Sequence, residues 1–135
     1  MDDVDLSGVA VLVVEDDADS RELLEQLLLR RHASVTAFAA GAEAIEFLSM
    51  NRADVMVFDI GMSGMDGYRL LETIRRQEEQ RGRVGVPAIA LTAYQQTRDI
   101  VRAGAAGYQR HLAKPIEPEK LLRAIAELAG GGRRT

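Results

Sequence analysis

Short apolar runs alternate five times with longer segments of helical periodicity along this chain of 135 residues. The first run, residues 9–14, is entirely apolar, and the segment after it repeats leucines on one face of a helix. Such alternation is typical of βαβ units, whose strands lie parallel and whose helices cover both faces of the sheet. We therefore predict an α/β domain with five parallel strands.

The boundaries follow from the same pattern. We predict strands at residues 9–14, 34–38, 55–58, 86–91 and 108–112. Helices are predicted at 18–31 and 42–50, around Leu70 to Ile74, at 95–103, and in a closing segment from Leu121 to Leu128. A solvated connection is predicted between the third of these helices and Val84. The domain then spans residues 9–129, between an acidic leader at 1–8 and a flexible, glycine-rich tail at 130–135.

Composition excludes several classes of function. The absence of cysteine excludes disulfides, zinc thiolate sites, iron–sulfur clusters and cysteine nucleophiles. A net charge of −4 argues against a nucleic-acid-binding domain, whose surface is usually basic. No apolar run approaches the roughly 18–20 residues of a membrane span, and the first residues lack the features of a secretory signal, so we expect a cytoplasmic protein.

Charged and polar residues stand where four of the predicted strands end. Glu15 and Asp16 follow the first strand, Asp59 the third, Thr92 the fourth and Lys114 the fifth. Ligands of open parallel sheets bind beyond the carboxyl ends of the strands, so these side chains are expected to converge. Clustered carboxylates repel one another unless a cation lies among them, and an all-oxygen site suits Mg²⁺.

Four motifs carry a family resemblance. VLVVEDD, VFDIGMSGMDG, ALTA and HLAKP occur in this order and together resemble the receiver domain of two-component response regulators, over about residues 9–129. The resemblance implies a flavodoxin-like, doubly wound sheet with strand order 2-1-3-4-5, which periodicity alone does not determine. It also implies a phosphorylation-controlled switch and not an enzyme, with only self-phosphorylation and autodephosphorylation chemistry of its own.

The resemblance assigns a phosphoacceptor and a metal site. Asp59 is implied to attack a phosphohistidine on a sensor histidine kinase or a histidine phosphotransfer protein, giving an acyl phosphate. Asp16 and Asp59 are implied to bind Mg²⁺ directly, Glu15 mostly through water, and Gly61 through its backbone carbonyl.

The resemblance also assigns the residues around the phosphoryl group. Lys114 is implied to bond first to the carboxylate and then to the phosphoryl oxygens, after a cis peptide bond to Pro115. Thr92 is implied to donate its hydroxyl to the phosphoryl group and to draw its loop inward. The surface of the fourth helix, fifth strand and fifth helix would then re-pack for signalling to a protein target. A phosphorylation-dependent dimer is left open.

Several residues depart from the common family pattern. Ser63 stands where the family usually has proline, and we expect it to loosen its loop. His111 stands where the family usually has a Tyr or Phe that rotates inward on activation. Tyr94 and Gly61 lie at positions that tune the acyl-phosphate lifetime, Tyr94 by shielding and Gly61 by leaving space. Glu15 replaces the commoner Asp.

Three alternative functions fit the sequence less well. A Mg²⁺-dependent phosphohydrolase that forms an aspartyl phosphate normally has a second acid two residues after the nucleophile, where this chain has Gly61. A flavin-binding electron carrier would need a phosphate-binding Ser/Thr/Gly loop after the first strand, where this chain has only acids. A degenerate receiver that docks without being phosphorylated is disfavoured by the intact set of acids, Thr92 and Lys114.

Overall fold

Five parallel strands form one sheet in the computed structural model, which describes residues 4–93 and 97–133. The strands are β1 (Ala10–Val14), β2 (Ser34–Phe38), β3 (Val55–Asp59), β4 (Ala88–Thr92) and β5 (Arg110–Ala113). Their order in the sheet is β2-β1-β3-β4-β5. The helices are α1 (Ala18–Leu29), α2 (Gly41–Met50), α3 (Gly67–Gln80), α4 (Thr97–Ala106) and α5 (Pro118–Arg133). The predicted α/β class and strand order are confirmed.

The core has two halves, one on each face of the sheet. Along β3, Met56 and Phe58 pack with α2, α3 and α4, whereas Val55 and Val57 pack with α1 and α5. Every residue of β3 and β4 is buried, as expected for central strands covered on both faces. The apolar sequence of β3 therefore leads directly to a polar residue, Asp59, at the carboxyl edge.

The fourth and fifth strands begin two residues later than predicted. Pro87 has no N–H for a sheet ladder, and the N–H of Val86 donates instead to Glu78 Oε2 at 2.9 Å. The N–H of Tyr108 donates to the carbonyl of Ala103 at 3.0 Å, closing the end of α4. The first residues that the apolar pattern assigned to these two strands therefore form other hydrogen bonds and lie outside the sheet.

Helix α3 runs further than its apolar face indicated. We predicted a solvated, arginine-rich connection from about residue 75, but the helix continues to Gln80. Arg75 explains part of the difference, because its guanidinium donates to Glu78 Oε1 at 2.9 Å and to the carbonyl of Gly107 at 3.0 Å. Helix α4 begins at Thr97 and ends at Ala106, three residues past the predicted end.

The domain includes residues beyond both of its predicted ends. Leu6, within the predicted leader, is fully buried among the residues of the α1–α5 half of the core, and its N–H donates to the carbonyl of Arg31 at 2.7 Å. Helix α5 continues to Arg133, four residues into the segment 130–135 that we predicted as a tail. No helix in the described ranges has the length and apolar character needed to cross a membrane.

Candidate metal centre at the carboxyl edge of the sheet

Three carboxylates meet where β1 and β3 end side by side. Val14 pairs with Phe58, so Glu15 and Asp16 on one strand end lie next to Asp59 on the other. One oxygen from each of the three acids lies within 4.8 Å of the others. Glu15 and Asp59 are buried, whereas Asp16 is exposed. Clustered carboxylate oxygens of this spacing fit a small, hard cation such as Mg²⁺.

A lysine ammonium lies among the buried acids. Lys114 Nζ is 3.1 Å from Asp59 Oδ1 and 3.3 Å from Glu15 Oε1. The backbone N–H of Lys114 donates to the backbone carbonyl of Thr92 at 2.8 Å, so Lys114 extends the β4–β5 pairing by one residue. The peptide bond to Pro115 is cis, as predicted. The sequence prediction that these strand ends converge is confirmed for Glu15, Asp16, Asp59 and Lys114.

The pKa values in the site reflect burial and crowding of like charges. Burial raises the pKa of Glu15, and the negative charge of Asp59 raises it further, although the N–H of Asp17, 3.1 Å from Glu15 Oε2, opposes the change. Burial also opposes the charge on Lys114, but its hydrogen bond to Asp59 and the two negative charges outweigh that effect and raise its pKa. The site thus combines one ammonium group with three carboxyl groups, an arrangement that favours cation binding.

The loop between β3 and α3 supplies backbone donors to both acids. The Gly61 N–H donates to Asp59 Oδ1 at 3.1 Å, and the Ser63 N–H donates to Asp16 Oδ2 at 3.1 Å. The loop ends at Gly67, where an added Cβ would lie 2.8 Å from the Asp59 carbonyl oxygen. Ser63, which we expected to loosen this loop, is therefore joined to the acid cluster. The metal-binding role of the Gly61 carbonyl stays a prediction.

The remaining predicted residues lie around the rim of the site. Thr92 is the last residue of β4 and is 1% exposed, in register with Ala113. His111 is half-buried on β5, and its Nε2 atom is buried with no hydrogen-bond partner in the described part of the chain. Tyr94 lies outside the described residues, so its tuning role stays a prediction.

A cleft of about 500 Å³ opens beside the acids, between α1 and the start of α5. Glu15 and Lys114 line it together with apolar side chains that include Leu23, Leu27 and Ile116. We expected Leu23 to share the buried face of α1, but it is 69% exposed, while Leu24 is buried. Helical periodicity placed four of the five leucines of α1 on one face, namely Leu23, Leu24, Leu27 and Leu28, and therefore did not predict this surface.

The comparisons with known proteins bear directly on this arrangement. A family model described as "Response regulator receiver domain" matches residues 11–126. The chain belongs to the response regulator receiver family. The receiver is 36% identical over 122 residues to an uncharacterized 14.6 kDa protein of Leptolyngbya boryana, a match covering 90% of the receiver and 91% of that protein. It is 30% identical over 120 residues to sensor protein GacS of Pseudomonas syringae, covering 89% of the receiver and 13% of GacS.

Solved structures agree with the family assignment. The receiver is 31% identical to the signal receiver domain of a signal transduction histidine kinase from Syntrophus aciditrophicus, with a TM-score of 0.82 and 95% of each chain covered. It is 32% identical to the receiver domain of sensor histidine kinase PA1611 from Pseudomonas aeruginosa, with a TM-score of 0.80, covering 92% of this chain and 99% of that one. That neighbour has magnesium coordinated in its active-site cleft.

Family membership fixes the general function. The chain is a receiver of two-component signal transduction, and such domains are phosphoryl-accepting switches rather than catalytic enzymes. GacS and several other curated relatives that the receiver matches are longer proteins, of which it spans 13–47%. The activities of those whole proteins are accordingly not transferred to this chain.

Proposed function

We propose that Asp59 accepts a phosphoryl group from a phosphohistidine of a sensor histidine kinase or a histidine phosphotransfer protein. The observation that carries this proposal is the bonding of its carboxylate, which accepts from the Lys114 ammonium and from the Gly61 N–H, both at 3.1 Å. Both donors meet Oδ1, and we assign the other oxygen, Oδ2, as the nucleophile. The Asp59 carboxylate is thereby held in one orientation, which in-line attack requires.

The transfer is a balanced displacement at phosphorus. The Asp59 oxygen forms a bond to phosphorus as the phosphorus–nitrogen bond of the donor breaks, and the electron pair returns to the imidazole ring. Lys114 keeps its ammonium charge because two acids face it, and it can pass from the carboxylate to a phosphoryl oxygen. The Thr92 hydroxyl donates to another phosphoryl oxygen at the end of β4. The product is an acyl phosphate on Asp59.

Glu15, Asp16, Asp59 and the Gly61 carbonyl are the groups that would hold Mg²⁺. When bound, the ion supplies positive charge for the incoming phosphoryl group and for the carboxylates. Glu15 faces the Asp17 N–H and the Lys114 ammonium, which keep its carboxylate directed into the site. We also propose that the receiver loses the phosphoryl group to water at this same site, which is autodephosphorylation.

The cleft beside α1 is where we propose that the phosphohistidine partner binds. Because Glu15 and Lys114 line both the cleft and the acid site, a partner seated there has its phosphoryl group within reach of Asp59. Exposed Leu23 and the apolar side chains around it offer a helical partner a hydrophobic contact. The likeness to receiver domains of histidine kinases supports a partner of this class. We place the reaction in the cytoplasm, where the ATP that charges such kinases is found.

The output surface is proposed on α4, β5 and α5. Ile100 and Val101 on α4 are 49% and 64% exposed, and apolar side chains so exposed are available for a protein contact. His111 lies on the same surface in place of the usual aromatic switch residue. Movement of Thr92 toward a phosphoryl group would shift the end of β5, because the backbone N–H of Lys114 is bonded to the backbone carbonyl of Thr92. A downstream protein or a second receiver would bind the shifted surface.

The test is intact mass spectrometry after incubation with Mg²⁺ and phosphoramidate. Wild type should gain one phosphoryl group, which hydroxylamine removes, and Asp59→Ala should gain none. Asp19→Asn, a change of an exposed acid at the start of α1, serves as the matched control and should be modified like wild type. Wild type that binds Mg²⁺ but stays unmodified would overturn the proposal in favour of docking without phosphorylation.

A further inference from the structure

We propose that Ser63 is a positioning residue for the metal site, acting through Asp16. This inference rests on the Mg²⁺ site of the proposed function and assigns a residue that the site does not itself include. The Ser63 N–H donates to Asp16 Oδ2 at 3.1 Å, and the Ser63 hydroxyl donates to the same oxygen at 3.3 Å. The two residues are 47 positions apart in the chain, so these bonds join the loop after β1 to the loop after β3.

The loop holds Ser63 in place from both sides. Met62, directly before it, is 6% exposed and belongs to the core half that contains α2, α3 and α4. Gly64, directly after it, has a φ of +79°, a conformation that glycine adopts without strain. Asp66 then caps α3 by accepting from the Arg69 N–H at 2.9 Å. The donors of Ser63 are therefore presented from a fixed stretch of backbone.

Asp16 is the acid of the cluster that most needs such support. Glu15 and Asp59 are buried and contact Lys114, whereas Asp16 is exposed and its charge adds to the repulsion within the cluster. Two donors on one oxygen restrict the rotation of the Asp16 carboxylate. An acid that is already ordered loses less conformational entropy when a cation binds.

Proline at this position could form neither bond. It lacks the backbone N–H and carries no hydroxyl, so the residue that stands here in the usual family pattern would leave Asp16 without both donors. The Ser63 contact therefore needs a residue that has both a backbone N–H and a side-chain hydroxyl. Its expected consequence is tighter Mg²⁺ binding than a variant with proline at position 63 would have.

Isothermal titration of the full chain with Mg²⁺ tests the inference. Loss of a residue that hydrogen-bonds a metal ligand typically weakens metal binding about 10–100-fold. Because the Ser63–Asp16 pair is exposed and Ser63→Ala keeps the backbone N–H, we expect this variant to bind Mg²⁺ only about three- to tenfold more weakly than wild type. Ser63→Pro should be weaker still, and Ser63→Thr, which keeps both donors, should restore affinity. Ser7→Ala, which removes an exposed hydroxyl bonded to Asp5, is the matched control and should bind like wild type.

Two further readouts separate positioning from a general structural role. The free energy of unfolding in Mg²⁺-free buffer should be the same for wild type and Ser63→Ala, because an exposed hydrogen bond contributes little in the apo state. Phosphorylation of Ser63→Ala by phosphoramidate should be slow at low Mg²⁺ and should return to the wild-type rate at saturating Mg²⁺. A rate that stays low at saturation would contradict a positioning role.

The failure of this inference differs from failure of the proposed function. If wild type binds Mg²⁺ and is phosphorylated on Asp59 while Ser63→Ala and Ser63→Pro bind Mg²⁺ within twofold of wild type, only the role of Ser63 is overturned. If wild type binds no Mg²⁺, the metal site itself is wrong, and the role of Ser63 with it.

Discussion

Removing the Lys114 ammonium should destabilise the receiver far more than removing an exposed lysine. Lys114→Met leaves two buried carboxylates, on Glu15 and Asp59, without the cation that lies 3.3 and 3.1 Å from them. Breaking a fully buried ion pair costs about 3–5 kcal/mol. The Lys114 side chain is 32% exposed, so solvent screens part of this effect, and we expect a loss of about 2–3 kcal/mol near pH 7.

The loss should depend on pH in a defined direction. The Glu15 pKa is already raised above its ordinary value of 4.5, by burial and by Asp59, so its ionised form destabilises the fold. Without Lys114 this pKa should rise further. A carboxyl with a raised folded pKa costs nothing below its unfolded pKa, and its cost grows as pH rises from there through the raised value. The difference between Lys114→Met and wild type should therefore shrink as pH falls toward 4.5.

Urea denaturation followed by circular dichroism, in Mg²⁺-free buffer at several pH values, measures this difference. Lys120→Met is the matched control, because Lys120 forms an ion pair with Glu117 in which both side chains are about two-thirds exposed. Such pairs contribute about 0–1 kcal/mol, so the control should be nearly neutral. Equal losses for the two variants, or a Lys114→Met loss that does not change with pH, would refute the electrostatic account of the site.

Three other substitutions test separate parts of the structure. Gly67→Ala should lower the free energy of unfolding, measured in urea, by about 1–3 kcal/mol, because the new Cβ would lie 2.8 Å from backbone atoms. Gly104→Ala should raise it by up to about 1 kcal/mol, because Gly104 is in a helix and has open space where the Cβ would lie. Tyr108→Phe should cost about 0.5–1.5 kcal/mol in the same assay, since its buried hydroxyl donates to the Gly67 carbonyl at 2.6 Å. Leu23→Ala should slow phosphotransfer from a phosphohistidine protein but leave phosphorylation by phosphoramidate unchanged, as measured by intact mass.

The fold could be predicted because its signals are local. Each buried strand is a short apolar run, and β3 is apolar up to Phe58 because both of its faces are covered. The gathering of Glu15, Asp59 and Lys114 follows from the same pattern, since parallel strands bring their carboxyl ends to one edge. The strand order came only from the family resemblance, because periodicity does not say which strands are neighbours.

The features that escaped prediction depend on contacts between distant residues. The start of β4 is set by Pro87 and by the bond from Val86 to Glu78, eight residues earlier. Leu6 is buried in the core and its N–H is bonded to Arg31, just after α1, which an acidic, linker-like sequence does not reveal. The bonds from Ser63 to Asp16 cross 47 residues, and only the three-dimensional structure brings the two loops together.

Chemical mapping of the modified residue tests the central claim most directly. Borohydride reduces an aspartyl phosphate to homoserine, which tandem mass spectrometry can locate after proteolysis of the phosphoramidate-treated receiver. The account predicts homoserine at position 59 alone, formed only when Mg²⁺ is present. Homoserine at another aspartate, such as Asp16, or equal modification in the presence of a chelator, would contradict it.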